Sequence, residues 1–81
     1  MENKNHNVIV YSTPSCPYCV MAKEYFKDNQ VEFKNFDVSI DDKIAEEMVK
    51  KSGQMGVPVI DIDGNIIIGF QPNEFAKLLE L

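Results

Sequence analysis

Two cysteines occur in the 81 residues of this chain, and they stand three apart in Cys16-Pro17-Tyr18-Cys19. That spacing suits thiol–disulfide exchange. One thiolate attacks a disulfide and forms a mixed disulfide; a second thiol one helical turn away then attacks the first sulfur and releases the product. The attacking sulfur must be exposed and ionised, and a helix N-terminus favours this because its free N–H groups and positive dipole end stabilise a thiolate. Pro17 suits a first helical position, where no N–H is needed. The motif therefore predicts Cys16 at the helix N-cap as nucleophile and Cys19, inside the first turn, as resolving thiol. Pro17 tunes how many donors reach the Cys16 sulfur. Tyr18 is expected beside the site, either as a substrate contact or as a ring that only packs the loop.

Other uses of the pair fit less well. A structural zinc site takes four ligands, and with His6 the single histidine and no further Cys the usual set cannot be filled. A structural disulfide belongs to small secreted scaffolds. The segment Met1–His6 is polar and leads straight into a strand, without the apolar core of a secretory signal, so a cytoplasmic location is expected. Two inert core thiols are disfavoured by Pro14 and Pro17, which mark a surface loop.

The elements that must position these thiols read in order. Val8-Ile9-Val10-Tyr11, stopped by Ser12-Thr13-Pro14, is a buried strand. Met21, Ala22, Tyr25 and Phe26 recur at helical spacing to about Asn29. A second strand is expected over Val31 to Val38. From Asp41 to Ser52, Ile44, Ala45, Met48 and Val49 form one helical stripe, Glu46–Lys50 and Glu47–Lys51 sit at i,i+4 on the other face, and Gly53 is the stop. Val57–Ile62 and Ile66–Ile68 flank Asp63-Gly64, a tight-hairpin dipeptide. Pro72 opens a last helix with Phe75, Leu78 and Leu79 on one face.

The order βαβαββα implies a parallel strand pair made through the first helix and a hairpin that completes a four-stranded mixed sheet flanked by three helices. The order predicts an α/β chain with a thioredoxin-like fold. No repeat or linker interrupts it, so residues 1–81 are expected to form a single domain. A composition of 44% apolar and 26% charged residues is that of a folding globular chain. The longest uncharged apolar run, Ile66-Ile67-Ile68, is far too short to span a bilayer, so no membrane partner is expected. A net charge of −5, with no basic cluster, argues against nucleic acid.

Three segments carry a family resemblance: Tyr11-Ser12-Thr13-Pro14-Ser15-Cys16-Pro17-Tyr18-Cys19, Ser52-Gly53-Gln54-Met55-Gly56-Val57-Pro58, and Asp63-Gly64 followed by Ile68-Gly69-Phe70. From about Val8 to Leu79 the chain resembles a small bacterial glutaredoxin. The resemblance implies a cis Val57–Pro58 peptide facing the dithiol, with the Val57 backbone pairing with an extended thiol substrate; without it, a trans Pro58 at a strand start would be the reading. It also places glutathione contacts at Thr13, Gln54 and Gln71. Relatives that use glutathione carry a cation at the first position and an anion at the last. This chain has neither, which implies weak recognition of glutathione. Gly69-Phe70-Gln71-Pro72 instead resembles a segment of glutaredoxin-like redoxins that take electrons from thioredoxin reductase and serve ribonucleotide reductase. Phe70 is then either a partner contact or a hydrophobic staple before the last helix.

The function expected is reduction of protein or low-molecular-weight disulfides, by a monomer with no tightly bound cofactor. Glutathione as co-substrate and thioredoxin reductase are the candidate reductants. An iron–sulfur cluster carrier, holding a cluster between two protomers with one Cys each and two glutathiones, is the alternative of another class; it usually has small residues after the Cys, where this chain has Pro17 and Tyr18. A redox-inert binding domain is a third class, in which loss of Cys16 has no effect.

Overall fold

The computed structural model of the chain describes residues 6–81; Met1–Asn5, with most of the polar leader considered above, lie outside the described residues. The elements run β1 (Val8–Ser12), α1 (Pro17–Asp28), β2 (Lys34–Asp37), α2 (Asp42–Ser52), β3 (Val59–Ile62), β4 (Asn65–Ile68) and α3 (Pro72–Leu79). The sheet order is β2-β1-β3-β4. β1 and β2 are parallel, while β1–β3 and β3–β4 are antiparallel. The expected mixed sheet, with its parallel pair made through α1 and its β3–β4 hairpin, is present.

The sheet is covered on both faces, which explains why its central strands read as nearly continuous apolar runs. Val8, Val10, Ile60, Ile62 and Ile67 point to one face and pack with Ala22 and Phe26 of α1 and Phe75 and Leu79 of α3. Tyr11 and Val59 point to the other and pack with Met48 of α2, with Ile9, Phe36, Ile44 and Val57 around them. The period of two along β1 thus sends alternate residues into separate cores.

Two strands begin later than the sequence reading expected. β2 is confined to Lys34–Asp37, because residues 29–31 finish the exit from α1: Gln30 has φ 60° and the Val31 amide donates to Phe26 O at 2.8 Å. Val31 is buried without being in a strand. β3 begins at Val59 and not at Val57, since Pro58 has no N–H for the ladder; the Val57–Pro58 peptide is cis. The turn at Asp63-Gly64 has φ of 54° and 91°, the positive pair that a two-residue type I′ connection requires. Asp41 caps α2 by accepting from the amides of Lys43 and Ile44, at 3.0 and 3.2 Å.

Candidate active site

Cys16 occupies the N-cap of α1 in an extended conformation, φ −98° and ψ 110°, with Pro17 next in the chain. The Cys16 amide donates to Thr13 O at 3.4 Å and closes the turn through Pro14 and Ser15. The Cys16 sulfur accepts from the Cys19 amide at 3.1 Å. This is the cap geometry that serves Ser or Asp elsewhere, here with sulfur as the acceptor. The Cys16 sulfur thus sits at the positive end of the helix.

The two thiols sit in different surroundings. Cys16 is partly exposed, whereas Cys19 is fully buried. Burial pushes the Cys19 thiol up to about 11, and its hydrogen bond with Cys16 pushes in the same direction. Cys19 is therefore protonated near neutral pH. Tyr18 is 60% exposed and stands clear of both cores.

Opposite α1, the cis Val57–Pro58 peptide brings Val57 O to 3.9 Å from the Cys16 sulfur. Pro58 is buried, and its carbonyl accepts from the Gly69 amide at 2.9 Å. Cys16, Val57–Pro58 and Gly69 thus meet at one end of the sheet, from segments that are far apart in sequence.

The two glutamines behave unlike free ligand contacts. Gln54 spends both ends of its amide on Gly56, accepting from its N–H at 2.7 Å and donating to its carbonyl at 3.0 Å. A side chain at Gly56 would place its Cβ 2.8 Å from Gln54 Oε1, so glycine is what allows this close approach. Gln71 Nε2 donates to Ile68 O at 2.7 Å. Thr13 is half-buried in the turn before Cys16. Phe70 joins an edge-to-face cluster with Tyr25 and Phe75, ring centroids 6.4 and 5.9 Å apart, so it packs as a staple onto α3.

One polar group beside the site was not anticipated from the sequence. Lys51 Nζ donates to Tyr11 OH at 2.8 Å and to Asp61 Oδ2 at 2.9 Å, while Tyr11 OH donates to Glu47 Oε2 at 2.7 Å. The expected i,i+4 pair Glu47–Lys51 is present on the exposed side of α2, with 3.6 Å between the charges, and from there Lys51 also reaches the sheet. The available signal was Asp61, a lone carboxylate in an apolar strand. Burial pulls the Lys51 ammonium down, but its bonds to Tyr11 and Asp61 outweigh this and hold its pKa above the ordinary lysine value. Burial first of all raises the Tyr11 hydroxyl, so it stays protonated.

Among the described residues no three His, Cys, Asp or Glu side chains are grouped to hold a metal, and no helix is long and apolar enough to cross a membrane. The family profile described as Glutaredoxin matches residues 8–67, a span containing both thiols and Val57–Pro58. The chain belongs to the glutaredoxin family. This glutaredoxin is 52% identical over 71 residues to an uncharacterized glutaredoxin-like 8.6 kDa protein in the rubredoxin operon of Clostridium pasteurianum, covering 88% of this chain and 95% of that one. It is 38% identical over 63 residues to Glutaredoxin 3 of Escherichia coli, covering 78% and 76%. The crystal structure of a thioredoxin-like protein superposes with a TM-score of 0.83 at 34% identity, covering 88% of this chain and 97% of that one. Family membership and these redoxin neighbours make the glutaredoxin a thiol–disulfide oxidoreductase with a thioredoxin-like fold.

Proposed function

We propose that the protein reduces protein or low-molecular-weight disulfides in the cytoplasm through Cys16 and Cys19, and that a dithiol donor such as thioredoxin reductase, and not glutathione, restores it. The observation that carries the dithiol reading is the asymmetry of the pair: Cys16 partly exposed and supported by the Cys19 amide at 3.1 Å, Cys19 buried and held protonated.

The Cys16 thiolate attacks one sulfur of the substrate disulfide; a Cys16–substrate disulfide forms as the second substrate sulfur leaves with the electron pair and takes up a proton. Cys19 then loses its proton and attacks the Cys16 sulfur. The Cys16–Cys19 disulfide forms, and the remaining substrate sulfur departs as a thiol. Counting the proton that Cys16 gave to solvent on ionising, the dithiol has lost two electrons and two protons in total, and the substrate has gained them. Val57 and Pro58 form the wall opposite Cys16, with backbone available to an extended substrate. Gly69 holds that wall, and Tyr18 and Pro17 flank the sulfur.

The choice of donor is supported by what surrounds this groove. Thr13 and Gln71 offer no charge where a zwitterionic peptide would need both signs, and the amides of Gln54 and Gln71 are already engaged by the protein's own backbone. The test is to oxidise the protein and follow its reduction by glutathione with glutathione reductase and, separately, by thioredoxin reductase with NADPH. Faster reduction by thioredoxin reductase is expected; the reverse order would overturn the donor assignment. No reduction of any disulfide by the reduced protein would overturn the function.

A further inference from the structure

Lys51 lies in the last turn of the helix that feeds the Val57–Pro58 wall, and Tyr11 is the penultimate residue of the strand that feeds the Cys16 loop. Four residues separate Tyr11 from Cys16 and five separate Lys51 from Val57. Lys51 Nζ lies 2.8 Å from Tyr11 OH and 5.2 Å from the centre of the Tyr11 ring, and it also bonds Asp61 on the strand that follows Pro58. Asp61 is anchored in turn: its second oxygen accepts from the Gly64 amide at 2.8 Å. One ammonium therefore ties together both ends of the 52–58 loop and the strand that leads to the nucleophile.

We propose that Lys51 is a positioning residue that sets the width of the groove between Cys16 and Val57, and so the affinity for substrates with an extended backbone beside their disulfide. This deepens the reductase reading above and rests on it. The side chains that meet Lys51 come from three elements: Glu47 from its own helix, Tyr11 from β1 and Asp61 from β3. Tyr11 is fully buried and Asp61 nearly so, so neither has water to replace the ammonium. If Lys51 is lost, Asp61 and Glu47 repel across the gap it filled, the α2 end is released from β1, and the loop ending in Val57 moves away from Cys16. A small disulfide touches only the Cys16 sulfur and does not sense this; an extended one loses its alignment against Val57.

The experiment uses the reduced full-length chain in single turnover against two chromogenic disulfides. One is a peptide of several residues joined through its cysteine to thionitrobenzoate; the other is the small dithiobis(nitrobenzoate). In both, Cys16 attack releases the coloured thiol. In Lys51→Met the half-saturating peptide concentration should rise roughly tenfold with little change in limiting rate, because uniform binding is lost. The rate with the small disulfide should stay within about twofold of wild type. Lys51→Arg should recover much of the peptide affinity, and Tyr11→Phe, which keeps the ring and removes the hydroxyl, should show the same split in weaker form. Equal losses with both disulfides in all three variants, or no loss with either, would overturn the inference. Amide hydrogen exchange across residues 53–58 needs no disulfide chemistry and separates the two failures. A wild-type protein inert toward both probes overturns the reductase reading, whereas exchange at 53–58 unchanged in Lys51→Met overturns the positioning role.

Discussion

Cys19 is bound to Cys16 by its backbone and hidden from solvent by its side chain: its amide lies 3.1 Å from the Cys16 sulfur, while its own thiol is fully buried. The same helical turn therefore points an amide at one sulfur and buries the other, which stays protonated. This asymmetry supports the proposed order of attack, Cys16 first and Cys19 second.

Alkylation near neutral pH should label Cys16 and leave Cys19 untouched. The Cys19 thiol titrates only at about 11, and it is out of reach besides. Peptide mapping after brief iodoacetamide treatment at graded pH would show it. Equal labelling of the two cysteines at neutral pH would contradict the assignment.

Cys19→Ser should trap the protein as a mixed disulfide with its substrate, since the attacking sulfur is intact and the resolving one is gone. Cys16→Ser should lose activity altogether. Mass spectrometry of each variant after incubation with a disulfide peptide reads the adduct directly; a persistent adduct on the Cys16→Ser protein would reverse the roles.

Turnover with glutathione should be weak, and Thr13→Lys combined with Gln71→Asp should lower the glutathione concentration giving half-maximal rate. A hydrogen bond to a charged group is worth roughly 1.5–3 kcal/mol when well formed, but an exposed pair much less. Gln71 is exposed, so an improvement of about tenfold is the reasonable size for the pair. Dithiothreitol uses neither contact and should be unaffected, which provides the control. A double variant no better than wild type would show that these positions do not govern the donor.

Phe26→Ala should cost about 3–5 kcal/mol, a large part of the ~5–15 kcal/mol that holds a domain together. Phe26 is fully buried and packs on Phe33 and Phe75, with ring centroids 5.7 and 5.0 Å away. Urea denaturation should show the midpoint falling sharply, or the variant unfolded in buffer. A midpoint within error of wild type would mean that the α1–α3 core is not where the stability lies.

Acid should weaken the attachment of the β3–β4 turn. Asp63 accepts from the Asn7 amide at 2.7 Å and pairs with His6 at 2.6 Å, and these contacts, the His6 hydrogen bond foremost, lower its pKa below the ordinary 3.8. A carboxylate with a depressed folded pKa contributes stability above its unfolded value and loses it as pH falls through the folded one. Asp63→Asn should therefore be less stable at neutral pH and should lose less stability between neutral pH and pH values below 3.8. Asp37, also lowered by its bonds to Ser39, remains to titrate in both proteins. Parallel acid dependences of the two proteins, measured by urea midpoint against pH, would remove Asp63 from the account.

Much of the dithiol end was legible from the chain alone because its signals act within a few residues. Cys16, Pro17 and Cys19 occupy one helical turn, Asp63-Gly64 makes its own tight connection, and the alternation along Val8–Tyr11 encodes two buried faces. The four strands, three helices and their order followed from these local patterns and from the rules that govern crossovers. Where local signals conflict, they failed: Val31 and Phe33 look like strand residues, but the helix exit at Gln30 claims that stretch first.

Tertiary structure alone decided what depends on partners distant in sequence. The approach of Val57 to Cys16 spans 41 residues, and the Lys51–Tyr11 bond spans 40. Nothing near Lys51 in sequence distinguishes it from Lys50, which stays on the solvent side. Lys51, itself still exposed, reaches over the sheet because Asp61 and the Tyr11 hydroxyl are buried polar groups that need a partner, and only the packed sheet brings them within reach of α2. Gln54 and Gln71 likewise looked free in the sequence; the backbone of the folded loops, with Gly56 and Ile68 at bonding distance, is what occupies them.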